Sequence, residues 1–124
     1  MSSDAQDTRK FLTGVERDIQ VMRVTRTAAG TVTLVSAVAG FRIVLYSLTV
    51  SVENTDAVTH TLEVRPGSTI LLAWRIRPSS ELHEFCSWGL HGYPSGSGAA
   101  LQVNLSTGFA GEASIEATYK QIPA

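Results

Sequence analysis

The sequence predicts an all-β chain that folds as an antiparallel β-sandwich of jelly-roll type with about eight strands. Short apolar stretches alternate with polar residues at a period of two, and turn residues recur roughly every ten positions. No segment carries a sustained helical repeat of apolar residues. Strands joined by tight turns pair antiparallel, and many short strands at this spacing are typical of sandwiches and jelly rolls.

The first half of the chain contains three predicted strands. Residues 19–24 form the first, and residues 31–38, rich in β-branched side chains, form the second after a break at residues 28–30. Residues 41–52 are apolar on both faces, which predicts a central strand buried on both sides. A turn is predicted at residues 54–56.

The second half alternates more regularly. Strands are predicted over residues 60–65 and 70–77, and a weaker one over residues 81–88. A loop over residues 92–98 precedes the last two strands. The side chains predicted to share one face within each strand are His60, Leu62 and Val64; Ile70, Leu72, Trp74 and Ile76; Leu101, Val103 and Leu105; and, facing inward, Ala113, Ile115, Ala117 and Tyr119.

Charge density divides the chain into two parts. The chain has 10 basic and 11 acidic residues, and nine of these charged residues lie within the first 26 positions. We predict an N-terminal arm over residues 1–18, extended or weakly helical around residues 8–15, and one sandwich domain over residues 19–124. Two interpretations of the arm remain open: a frayed terminus, or a segment that orders on a partner through Phe11, Leu12 and Val15.

Composition argues against several classes of partner. The formal net charge is −1 and no basic stripe is visible, so no nucleic-acid partner is expected. No apolar run approaches the roughly 20 residues that span a bilayer, and no secretion signal is recognised, so we expect no membrane partner and assembly in a cytoplasm. Charged residues are only 17% of the chain, which indicates that part of the surface is covered by self-association or docking.

Residues that carry chemistry do not form a recognisable set. His83, Glu84, Cys86 and His91 lie close in sequence, but the spacing is not that of a zinc site, and a strand over residues 81–88 points His83 and Cys86 to opposite faces. A Cys/His nucleophile lacks an orienting third group. A Ser/His/Asp set remains open because serine is plentiful. We therefore assign no catalytic residue, cofactor or metal, and predict a protein that is not an enzyme.

A few side chains are candidates for partner binding. Arg75 and Arg77 share one strand face, where they are either solvated and salt-bridged or dock an acidic protein surface. Trp88 and Tyr93 are candidate exposed aromatics for a receptor or carbohydrate site. The loop at residues 96–98 is not a phosphate cradle, because it leads into a strand and carries no lysine.

Four segments of residues 31–119 together resemble a known group of proteins. A strand leads through Gly40 into a basic and aliphatic strand over residues 35–45, and residues 62–68 alternate into a Gly turn. Residues 96–106 follow the order Gly-x-Gly-x-x-Leu-x-Val-x-Leu-Ser, and residues 111–119 form a Gly turn and a strand that ends in Tyr. In order and spacing the chain resembles small bacteriophage and prophage virion proteins, although its section from residue 74 to residue 93 is richer in aromatics and His.

The resemblance implies a β-sandwich module that sits on a virion. Such proteins decorate (cement) capsids or serve in head spikes and tails, commonly as trimers. It implies a homo-oligomer that binds the major capsid protein or other virion proteins. The alternative it leaves open is a receptor- or carbohydrate-binding module of a tail fibre or head spike.

Overall fold

The computed structural model describes residues 19–124, and all its regular elements are β-strands. The predicted arm of residues 1–18, with Phe11, Leu12 and Val15, lies outside that range. Residues 19–124 contain no helix that could span a membrane. The strands are β1 (Gln20–Arg26), β2 (Gly30–Val35), β3 (Phe41–Asn54), β4 (His60–Pro66), β5 (Leu72–Ile76), β6 (Ser80–Ser87), β7 (Tyr93–Pro94), β8 (Leu101–Leu105) and β9 (Gly111–Pro123).

Two antiparallel sheets form the sandwich. Sheet 1 has the order β1-β9-β3-β6, with β7 also paired to β3, and sheet 2 has the order β2-β8-β4-β5. The pairs are nested: β1 with β9, β2 with β8, β3 with β6 and β7, and β4 with β5. A long antiparallel ribbon rolled up on itself gives this nesting, and it is the jelly roll that the sequence predicts.

The inward faces of β4, β8 and β9 are confirmed. All ten side chains predicted for them are buried: His60, Leu62, Val64, Leu101, Val103, Leu105, Ala113, Ile115, Ala117 and Tyr119. The apolar ones join residues of β2 and β3 in a single core between the sheets. Each large aliphatic side chain fully buried there contributes about 1.5–3 kcal/mol, so this alternation is the main source of stability.

Strand β3 is central, between β9 and the pair β6 and β7, but the prediction that both its faces are buried holds only for its first half. There Val44 and Tyr46 are buried on the outer face, beneath the chain at Gly92. A Cβ added to Gly92 would lie 2.5 Å from Val44 Cγ1, and the residue has φ +69°, so only glycine fits this close approach. In the second half, Thr49 and Glu53 on the outer face are exposed.

Other boundaries shift at the strand ends. Strand β1 runs on to Arg26, β2 ends at Val35, and β5 begins only at Leu72. Ile70, predicted to share a strand face with Leu72, Trp74 and Ile76, instead lies in the turn before β5 and is 50% exposed. In that turn the Leu71 N–H donates to Val64 O at 2.9 Å. The predicted loop over residues 92–98 contains the short β7, which pairs Tyr93 with Leu45.

Candidate functional site

The two arginines predicted to bind a partner lie together at one edge of the sandwich. Strand β5 is the outer strand of sheet 2, where Arg75 pairs with Thr61 on the solvent face and Arg77 follows just after the strand. Both are exposed. Arg65 on the neighbouring strand β4 forms an ion pair with Glu63, whereas no carboxylate of residues 19–124 lies within 4 Å of Arg75 or Arg77. We call Arg75 and Arg77 the arginine edge.

The two aromatic residues predicted as a receptor or carbohydrate site are less exposed than the side chains of a flat sugar-binding surface. Trp88 and Tyr93 are half-buried and pack against the core. Their ring centroids lie 6.4 Å apart at 53°, and the Trp88 backbone N–H donates to Tyr46 O at 2.9 Å. Two side chains that the sequence did not single out are more exposed: Phe85 at 66% and Leu90 at 83%. The alternation of β6 already contained that signal for Phe85, because a strand that turns Cys86 inward turns Phe85 outward.

The structure separates the residues considered for a metal site. His83 lies opposite Ser51 on the outer face of sheet 1, and Cys86 lies opposite Leu48 on the inner face. Burial, and then the charge of Glu84, raise the pKa of the Cys86 thiol, which makes it a weaker nucleophile. Across residues 19–124, no three His, Cys, Asp or Glu side chains converge to hold a metal ion.

A Ser/His/Asp array does form, at the end of the sandwich where β4 begins. His60 is 2% exposed; its Nε2 lies 2.7 Å from Asp56 Oδ2 and its Nδ1 2.9 Å from Ser106 Oγ. The ring of Phe109 packs edge-on against it, with centroids 5.6 Å apart. The hydrogen bond from His60, and then one from the Ala57 N–H, lower the pKa of the Asp56 carboxyl from its ordinary value of 3.8.

The hydrogen bonds of this array indicate a structural role rather than a catalytic one. A serine nucleophile needs an accessible Oγ and donors aimed at the developing oxyanion. Here Ser106 Oγ accepts the Thr61 N–H at 2.9 Å, and the Ser106 N–H donates to Thr61 O at 3.0 Å. With its proton on Nε2, His60 donates to Asp56 and accepts from Ser106, so each group is satisfied within the array. The array ties the β3–β4 loop to the end of β8.

A buried asparagine reinforces the same end. The Asn54 amide group donates to the carbonyl oxygens of Val58, Ile76 and Arg77 at 2.9–3.2 Å. Its Oδ1 accepts the Asp56 N–H at 3.0 Å. Asn54 therefore joins the β3–β4 loop to the end of β5, next to the arginine edge.

Three carboxylates line up across the outer face of sheet 1. The register places Glu53 directly opposite Glu81 on one side and Glu112 on the other. All three are exposed and line a shallow cleft of about 300 Å³. Glu53 and Glu81 also line a second cleft of about 720 Å³. His83 Nε2 lies 3.7 Å from Glu81 Oε2. We call Glu53, Glu81 and Glu112 the acidic row; Phe85 lies on the same face.

No family model matches the chain, and a search of the curated proteins finds no match. Many solved structures resemble it. Eiger TNF from S. frugiperda superposes with a TM-score of 0.52 at 12% identity, over 87% of this chain and 96% of that one.

Viral proteins are also among the similar structures. The tobacco streak virus coat protein has a TM-score of 0.41 at 12% identity, over 84% of this chain and 88% of that one. The PRD1 vertex protein P5 has 0.43 at 13% identity, over 85% and 73%. At these identities the likeness concerns the fold alone, and for Eiger TNF it agrees with the sandwich seen here.

Proposed function

We propose that the chain is a non-enzymatic structural protein of a bacteriophage virion, a capsid decoration (cement) protein that binds the head lattice as a homotrimer. The resemblance of residues 31–119 to small phage virion proteins supports this. The jelly-roll sandwich is the architecture that the resemblance implies. The partners would be further copies of the chain and the major capsid protein, with assembly in the host cytoplasm.

The observation that carries the proposal is the set of large apolar side chains that the fold leaves in water. Phe85 and Leu90 lie along one margin of sheet 1, where β6 runs into the following loop, and Trp88 is half-buried between them. Isolated exposed apolar residues are common, but two such side chains on one margin, with a half-buried tryptophan between them in sequence, support a contact surface there. Within residues 19–124, the large apolar side chains that are exposed are Val21, Met22, Val38, Phe41, Val58, Ile70, Phe85 and Leu90.

A structural role also suits the polar groups. The Asp56, His60 and Ser106 side chains are engaged with one another and with the backbone, so they hold loops rather than a substrate. A rigid module that repeats on a lattice gains avidity from many weak contacts and needs no deep cleft.

Particle composition tests the proposal. Particles of the phage or prophage that encodes the chain are purified on a density gradient, and their proteins are quantified by mass spectrometry. We expect the chain in a fixed ratio to the major capsid protein. A non-structural protein of the same genome is the control, because purification should remove it from the particles. Absence of the chain from intact particles would overturn the proposal.

The neighbouring Trp88 and Tyr93 rings favour a second candidate, a receptor- or carbohydrate-binding module of a tail fibre or head spike. It predicts binding on a glycan array that Trp88→Ala abolishes, whereas Phe41→Ala, which changes another surface aromatic, leaves it intact. The decoration role predicts that neither the wild type nor the two variants bind glycans.

A further inference from the structure

We propose that copies of the chain associate edge to face: the arginine edge of one copy docks on the acidic row of the next. This inference rests on the self-association within the proposed function and names the surfaces that carry it. Arg75 and Arg77 contribute one side of the contact. Glu53, Glu81 and Glu112, with Phe85 beside them, contribute the other.

The acidic row is an arrangement that a sheet avoids unless something compensates it. Neighbouring strands lie about 5 Å apart, and like charges directly opposite each other repel. Within residues 19–124, no Lys or Arg nitrogen lies within 4 Å of Glu53, Glu81 or Glu112. The carboxylates also extend along a row across three strands and do not converge on one point as metal ligands do. Their geometry suits several separate cations presented by a protein surface.

The arginine edge offers such cations. Arg75 lies on the solvent face of β5 and Arg77 follows two residues on, just after the strand, so their Cα atoms are about 6.6 Å apart. Both side chains are exposed. Long arginine side chains at that spacing can reach neighbouring carboxylates of a row with an interval of about 5 Å. Among residues 19–124, strand β5 is the last strand of sheet 2, which leaves its outer edge open to a second copy.

Within residues 19–124 of one copy, Arg75 and Arg77 form no ion pair with the acidic row. The acidic row lies on the outer face of sheet 1 and Arg75 on the outer face of sheet 2, which point in opposite directions. The contact therefore joins different surfaces of two copies. Such heterologous contacts close into a ring when repeated around an axis, which agrees with the proposed trimer.

Phe85 supplies the apolar part of the contact. It lies on the same face as the acidic row, on the same strand as Glu81, and is 66% exposed. An aromatic side chain buried in an interface excludes water from its surroundings, and charge pairs beside it are then less screened. The contact is thus expected to combine an aromatic centre with a charged rim.

Charge reversal tests the contact. The variants are Arg75→Glu with Arg77→Glu, Glu53→Lys with Glu81→Lys, and the four changes together; Lys120→Glu is the control for a charge reversal elsewhere on sheet 1. Sedimentation velocity gives the association constant, and circular dichroism checks folding. Each double variant should associate at least about tenfold more weakly, and the fourfold swap should restore association.

The double variant Glu53→Gln with Glu81→Gln removes both charges without reversing them, and it tests the contact even if the charge-reversal variants misfold. It should weaken association while raising the melting temperature of the monomer, because it removes the repulsion within the row. If the wild type self-associates and the reversals change nothing, the contact is overturned while self-association stands. If the wild type remains a 13.3 kDa monomer at every concentration, both are overturned, and particle composition alone decides the virion role.

Discussion

His60 is the residue whose surroundings say most about how the chain is held together. It is buried at the start of β4 between Asp56 and Ser106, and it connects segments 46 residues apart in sequence. The array resembles a catalytic one in composition only, because Ser106 Oγ is already engaged by the Thr61 N–H. A Ser/His/Asp set in a structure therefore needs a check of its hydrogen bonds before it is assigned a reaction.

Asp56 makes the stability of the chain depend on acid pH. Its pKa is lower in the folded chain than its ordinary value of 3.8, so its ionised form favours folding. That contribution is complete above about pH 3.8 and is lost as the pH falls through the lower folded value. We expect Asp56→Asn to lower the melting temperature at neutral pH, and the difference from wild type to shrink below pH 3.8. A difference that stays constant across that range would contradict this account.

Substitution of a buried and an exposed leucine compares the contributions of core and surface to the free energy of unfolding. Leu62 is fully buried, so Leu62→Ala should cost about 2–5 kcal/mol of unfolding free energy in a denaturant titration. Leu90→Ala makes the same chemical change at a side chain that is 83% exposed, and should stay within about 0.5 kcal/mol. Equal losses at the two sites would contradict the assignment of core and surface.

At the level of elements, the strands are held by their alternation and the loops by a few close approaches. Strand β7 pairs beside β3, and the chain just before it, at Gly92, lies over Val44 and Tyr46. This close approach is possible only because residue 92 is glycine. Ser95 continues this attachment: its N–H donates to Ile43 O at 2.8 Å, and its hydroxyl accepts the Ile43 N–H at 2.9 Å. The loop is thus fixed along the edge of β3.

Gly92→Ala tests this packing. The added Cβ would clash with Val44, and the positive φ is unfavourable for alanine, so we expect a loss of about 1–3 kcal/mol in thermal or denaturant unfolding. Gly96→Ala is the matched control, because a Cβ added there would meet no atom within 4 Å. It should be neutral or slightly stabilising, by up to about 1 kcal/mol. Similar losses for both variants would argue against the close approach.

The elements that the sequence predicted best are those with local signals. The period of two in residues 101–105 and 113–119 placed each side chain on the correct face, because one face of these strands is core. Strand β7 was missed because two residues carry no period. The acidic row was missed because Glu81 and Glu112 meet Glu53 only through pairings between distant segments. A Ser/His/Asp set was left open, but its members Asp56, His60 and Ser106 could not be named for the same reason.

At the scale of the whole molecule, the surface has two sides with different chemistry. Sheet 1 presents the acidic row and the exposed Phe85, whereas the open edge of sheet 2 presents Arg75 and Arg77. A chain with few charges that separates them in this way is suited to contact its own copies in a fixed orientation. The proposed edge-to-face contact follows from that asymmetry.

Salt provides a prediction at this scale. Raising the salt from about 0.1 M to about 1 M shortens the Debye length from about 10 Å to about 3 Å. If charge pairs carry the contact, the oligomer should dissociate in sedimentation runs as salt rises, while Phe85→Ala weakens it at every salt concentration. An oligomer that tightens with salt would indicate a contact dominated by apolar burial instead.

Electron cryomicroscopy of purified phage particles tests the central claim most directly. The account predicts threefold-symmetric density on the head lattice into which three copies of the sandwich of residues 19–124 fit, with Arg75 and Arg77 of each copy facing Glu53 and Glu81 of the next. If other proteins account for all the density of intact particles, the claim is contradicted.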